Sequence, residues 1–365
     1  MRKAELPGLT GVRFYAALPV YVSHVVGTIP GMQALGGSLL VFNAGELSVA
    51  FFFVLSGFVL AYNYLDRFQD GLSLSSYKLF LWNRLARVYP VHLLATLMVL
   101  PVSIMSPNLP LDWRAVPVHL LLLQNWWPAV SPAFLTYLNV PSWSLSCEWF
   151  FYVIAPLAIL YSSENRRLLV TAGIALCYAG VLGWVLTHYG SAYARHYFVA
   201  WFAPSRCIEF LAGVLLARVY LGTMNRRIVE WSVAAQAAGV GLIIIGAILW
   251  QSAPWPLSGG LLTLPGSALL IWGLATGRGH FVAHLSHRWL NRLGVASFSF
   301  YMIHAPLLRA MKGAWLYLGW EVHSWPLFWG VTATLFVLIQ VAALGVCYFY
   351  ELPLQHRLRT FYRGA

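Results

Sequence analysis

Arg13 and His24 stand eleven positions apart in the first apolar stretch of this 365-residue chain. At a helical rise of about 1.5 Å per residue they are separated by about 16 Å. Eleven residues also make almost three whole turns, so both side chains leave the helix on similar faces. The separation is roughly half a bilayer core, which puts Arg13 at one mouth and His24 near the midplane. A cationic mouth with a titratable group deeper in the same wall suits an anionic ligand whose reactive end reaches inward. A snorkelling arginine and a histidine bonded to a neighbouring helix would look the same.

Further polar residues recur in apolar surroundings, where an ionisable group costs about 2.5–3.5 kcal/mol at a helix centre and is a functional candidate by default. Arg84 and Arg87, three apart before the third apolar run, share a helix face and can grip phosphates as a fork; they also fit ordinary positive decoration of an inner loop. The fourth run opens with Pro141-Ser142-Trp143-Ser144-Leu145-Ser146-Cys147-Glu148. Ser144 is placed to cap the helix, with Glu148 four residues on and Tyr152 a turn later. Glu148 then lies a turn or so below the outer surface and needs a partner on another helix. Arg206 and Glu209 share a face and can pair with each other. Tyr301 and His304 lie mid-span beside Pro306, in a structural or a ligand-contacting role. Cys147, Cys177, Cys207 and Cys347 sit in apolar runs without a CxxC, which reads as reduced packing residues, with no metal site.

The elements that must hold these groups are membrane helices. Hydrophobic residues make up 60% of the chain and charged residues 9%, against about 25% charged in a soluble domain. A soluble surface could not be covered, and a disordered chain is excluded by its hydrophobicity. The net charge of +12 comes in ones and twos, not in a stretch able to track nucleic acid. About 20 apolar residues cross a bilayer. Such runs occur near 13–30, 46–64, 88–105, 143–161, 168–188, 205–222, 231–251, 258–275, 294–312 and 325–350. The run 115–124 is too short to cross. With ten crossings and both termini inside, 18 of the 23 Lys and Arg fall on inner segments; Arg114, Arg195, Arg206, Arg309 and Lys312 fall outside. An eleventh crossing would destroy that bias. The expected architecture is therefore all-α and polytopic: ten transmembrane helices, a re-entrant or surface-lying outer segment over 115–142, and one membrane-embedded domain over 1–365. The first helix reads as an uncleaved signal anchor.

These motifs, in this order, resemble the membrane-bound acyltransferase family 3. Leu9-Thr10-Gly11-Val12-Arg13 through His24 is similar to its first-helix signature, an arginine and a histidine separated by ten residues. Phe51 to Phe58 resembles the second-helix motif, and Arg84 to Arg87 with Pro90 the RxxR element. Ser142-Trp143-Ser144-Leu145 with Glu148 and Tyr152, Tyr301 to Pro306, and Tyr350-Glu351-Leu352-Pro353 also fit. The departures are Thr10, Val12 and Cys147. The resemblance implies transfer of an acyl group, usually acetyl, from cytoplasmic acyl-CoA to a hydroxyl of an envelope glycan or glycolipid, in a bacterial inner membrane. Arg13, Arg84 and Arg87 would meet the CoA phosphates. His24 would be the general base and Glu148 its support, with Ser142, Trp143, Tyr152, Arg206, Tyr301 and His304 assisting. A small hydroxylated acceptor such as a macrolide, or a proton-coupled transporter using His24 and Glu148, are the alternatives; transport predicts that acyl-CoA is not consumed.

Overall fold

The computed structural model describes residues 3–31, 39–68, 70–104, 113–126, 138–162, 197–223, 230–252 and 259–364, with a few positions between 173 and 187. Among the described residues the regular structure is helical throughout. The helices are α1 Pro7–Val26, α2 Leu39–Phe68, α3 Leu74–Ile104, α4 Ala115–Leu120, α5 Ser142–Tyr161, α6 Ala203–Thr223, α7 Ser232–Ser252, α8 Gly259–Ala275, α9 His280–Leu285, α10 Arg288–Tyr317, α11 Trp325–Val346 and α12 Leu352–Gly364. A five-residue π turn, Cys347–Glu351, joins the last two. The chain is an all-α polytopic membrane protein: six of its described helices are long and apolar enough to cross a bilayer. The run 168–188 lies largely outside the described residues. Helix α4, at six residues, rises only about 9 Å, too little to cross alone.

Helices α1 and α10 are not among those six. They carry His24 and His304, along with Arg13, Arg288, Arg292, Arg309 and Lys312.

The chain packs as two compact units, each drawn from three separate segments. The first takes residues 1–12, 46–78 and 147–291; the second takes 13–45, 79–146 and 292–365. In the first, α2 and α6 cross closely because Gly57 and Gly213 face the opposing backbones. A Cβ at Gly57 would overlap the carbonyl of Phe210, and one at Gly213 that of Val54. Small residues permit such approach where lipid supplies no hydrophobic drive. Phe151 stacks on Phe210 and meets Phe53 edge-on, both at 5.0 Å between centroids, to fill this core.

In the second unit, Tyr21, Phe300 and Phe336 pack α1, α10 and α11 together at 5.5–5.6 Å between ring centroids. The buried Tyr21 hydroxyl donates to Thr332 O at 2.8 Å. Residues 113–126 belong to this unit, and His119, Gln124 and Asn125 are fully buried. Gln124 Nε2 donates to Ser142 O (3.0 Å) and Oγ (3.2 Å), and Ser146 Oγ donates to Leu122 O (2.8 Å) at the start of α5.

Candidate active site

His24, near the C-terminal end of α1, meets His304 of α10: His24 Nδ1 lies 2.6 Å from His304 Nε2, and the rings stack at 4.9 Å with a 16° tilt. The backbone fixes the proton positions. His304 Nδ1 lies 2.7 Å from Tyr301 O and 3.2 Å from Phe300 O. A carbonyl only accepts, so Nδ1 of His304 carries the hydrogen. In a neutral His304 the Nε2 is then a bare acceptor, and His24 donates to it from Nδ1. His24 is left with an unprotonated Nε2. This is an imidazole held in one tautomer by a second ring, an arrangement that acid–base and nucleophilic sites use.

The surrounding side chains hold the pair in place. Phe300 stacks on His304 at 5.9 Å, and Tyr21 meets it edge-on at 6.3 Å. One turn away, the Tyr301 hydroxyl hydrogen-bonds Ser144 Oγ (2.6 Å) and donates to Pro141 O (3.3 Å). Asn139 Nδ2 donates to Met302 O at 3.0 Å, and Ser142 Oγ to Asn139 O at 2.6 Å. The opening of α5, with Ser142 and Ser144 buried and Trp143 partly so, therefore braces the turn of α10 that bears His304.

The arginines of the sequence pattern belong to the same unit. Arg13, Arg84 and Arg87 are partly exposed, and Arg84 lies over the Phe80 ring at 5.9 Å. Arg13 and Arg87 both act electrostatically on Glu351, a buried carboxylate in the π turn that accepts from Ser299 Oγ at 2.6 Å. π turns in α-helices cluster at functional sites. Glu351 was visible in the sequence only as part of a terminal motif; the signal for its role was a carboxylate at the end of an apolar span.

Glu148 lies in the first unit, where its carboxylate Oε1 accepts from Tyr152 (2.5 Å) and Ser56 (3.1 Å). Sequence analysis expects Glu148 to support His24; the group hydrogen-bonded to His24 Nδ1 is His304. Arg206, fully buried, pairs with Glu209 (3.2 Å) and Glu46 (3.6 Å) and lies over Phe53 at 5.3 Å. The i,i+3 pairing of Arg206 with Glu209 is the one its spacing allowed.

A family model described as an acyltransferase domain matches residues 6–349, nearly the whole chain. The chain belongs to acyltransferase family 3. It is an enzyme that transfers acyl groups. It is 32% identical to acyltransferase MdmB of Streptomyces mycarofaciens, over 84% of this chain and 80% of that protein. It is 24% identical to the putative peptidoglycan O-acetyltransferase YrhL of Bacillus subtilis, over 98% of the chain and 56% of the relative. O-acetyltransferase OatA of Staphylococcus aureus is also 24% identical, over 83% and 50%. The chain thus spans about half the length of these two O-acetyltransferases. No solved structure matches it.

Proposed function

We propose that this membrane enzyme moves an acyl group, usually acetyl, from cytoplasmic acyl-CoA to a hydroxyl of an envelope glycan or lipid-linked sugar. The observation that carries this reading is the His24–His304 pair, whose bonding leaves His24 Nε2 basic. His24 Nε2 takes the proton of the acceptor hydroxyl as its oxygen attacks the thioester carbonyl. The C–O bond forms, the C–S bond breaks, and the leaving CoA sulfur recovers the proton from His24. His304 accepts from Nδ1 throughout and steadies the transient imidazolium. Arg13, Arg84 and Arg87 meet the donor phosphates at the inner mouth, with both termini on that side of an inner membrane. Glu351 keeps Arg13 and Arg87 in place until phosphate arrives. Ser142, Trp143, Tyr301 and Ser144 shape the wall beside the pair, while Glu148, Tyr152 and Arg206 serve as supporting groups in the first unit.

The printed name of YrhL supports a glycan acceptor. A second acceptor class, a small hydroxylated metabolite such as a macrolide, is supported by the higher identity to MdmB, whose name carries no envelope polymer. Purified protein in lipid nanodiscs, given labelled acetyl-CoA with each acceptor class, tests the reading. His24→Ala should abolish transfer while CoA binding persists. Failure of the wild-type protein to bind or consume acyl-CoA would favour transport instead.

A further inference from the structure

Along one side of α3, the C-terminal chain forms an antiparallel seam. Tyr350 OH donates to Pro90 O at 3.3 Å, Arg87 acts electrostatically on Glu351, Arg359 Nη2 donates to Asn83 O at 3.5 Å, and Trp82 Nε1 donates to Leu358 O at 2.8 Å. Glu351, Gln355 and Arg359 fall four apart, as do Asn83 and Arg87, so each set makes a single stripe. With its amide oxygen turned toward the guanidinium, the buried Gln355 accepts from both Nη atoms of Arg359. The seam ends in an aromatic stack: the rings of Trp82 and Tyr362 lie 5.3 Å apart with a 22° tilt, and both are partly exposed.

Guanidiniums therefore occur at Arg87 and again at Arg359, two turns or about 12 Å along α12 from Glu351, and next to the second lies a pair of stacked rings. Gln355 fixes the orientation of Arg359, which a merely solvated basic tail would not need. A single phosphate does not require two such points. A ligand with a diphosphate, a further phosphate on its ribose and a purine does. We infer that α12 and the inner half of α3 form the subsite for the nucleotide end of acyl-CoA: Arg359 takes the ribose 3′-phosphate, and the Trp82–Tyr362 stack receives the adenine face. This rests on acyl-CoA being the donor. Base-on-aromatic stacking and charge-assisted phosphate contacts are each strong enough to change affinity about tenfold.

The test compares acetyl-CoA, 3′-dephospho-acetyl-CoA and acetyl-pantetheine as donors for the purified full chain in phosphatidylcholine nanodiscs. Wild type should prefer acetyl-CoA over acetyl-pantetheine in kcat/KM. Arg359→Ala should cut that preference about tenfold, chiefly through KM, and should erase discrimination between acetyl-CoA and its 3′-dephospho form. Tyr362→Ala should reduce the preference while Tyr362→Phe retains it, which separates stacking from loss of fold. If Arg359→Ala lowers kcat/KM equally for all three donors, α12 is only a structural clamp and the subsite is refuted while the donor reading stands. An effect that appears only after phosphatidylglycerol is added, and equally for every donor, would assign Arg359 to a lipid headgroup and refute it as well. If wild type shows no CoA binding at all, the donor reading and the subsite fall together.

Discussion

Replacing His304 by alanine tests the catalytic pair without touching the proposed base. His304 Nε2 is the acceptor for His24 Nδ1 at 2.6 Å. Its removal leaves that N–H either unpaired, at about 1–3 kcal/mol, or free to turn with the ring into the other tautomer. In both cases fewer molecules present a bare, correctly aimed Nε2. At 1.36 kcal/mol per decade, the expected loss is about ten- to hundredfold in kcat, with acyl-CoA affinity nearly unchanged. That is smaller than the 10²–10⁴-fold that removal of a general base costs, so His24→Ala should be the more damaging variant. His304→Gln places an amide oxygen where Nε2 stood and should recover part of the loss. The double variant should be no worse than His24→Ala alone, because the two rings act as one unit. Single-turnover transfer per mole of folded enzyme, beside CoA binding by calorimetry, reads all of this. A fully active His304→Ala, or a double variant whose loss is the product of the single losses, would refute the relay.

Arg84→Ala and Arg87→Ala should each weaken binding of acetyl-CoA by about 1.5–3 kcal/mol, with a smaller effect on acetyl-pantetheine; equal losses for both donors would remove these arginines from phosphate binding. Arg87→Ala should also lower the thermal midpoint, since it withdraws a charge that acts on the buried Glu351, and Glu351→Gln in the same chain should restore the midpoint without restoring donor affinity. Arg206→Met should destabilise the fold by about 3–5 kcal/mol, because it strands Glu209 and Glu46 without their cation. Adding Glu209→Leu should recover much of that loss in a thermal-melt assay; no recovery would mean the pair is not the source of the effect.

What the sequence made legible is what one helix decides by itself. The spacing of Arg13 and His24 fixes their faces whatever surrounds them, and both do lie on one helix, α1. The run 115–124 reads as too short to cross alone, and α4 within it is a six-residue helix. The i,i+3 spacing of Arg206 and Glu209 was enough to suggest their ion pair. The partner of a residue across helices is not encoded in this way. His304 was a polar group in an apolar run, and nothing in its spacing brings it to His24. That contact comes from the packing of α10 on α1 through Tyr21 and Phe300. The stripe Glu351, Gln355 and Arg359 has helical period in the sequence, but its meaning depends on α3 lying beside it.

The physical reason that these groups can be kept in an apolar setting is the same at each place. An isolated ionisable side chain among apolar helices is costly, and each of these is matched by a group of the complementary kind. The imidazoles satisfy each other and two carbonyls as a neutral pair. Glu351 is offset by Arg13, Arg87 and the Ser299 hydroxyl, and Arg206 by two glutamates. The pairs differ in what a ligand can do to them. Arg206 is fully buried between two carboxylates, which suits a structural role. The histidine pair has one nitrogen, His24 Nε2, that its own bonding leaves bare, and Arg13 and Arg87 are partly exposed. An incoming anion can therefore compete with Glu351 for the arginines, and an incoming hydroxyl can find the bare nitrogen. Arg13 and His24 lie about 16 Å apart along α1, a span that the proposed donor would bridge by binding through its phosphates at one end and reacting at the other.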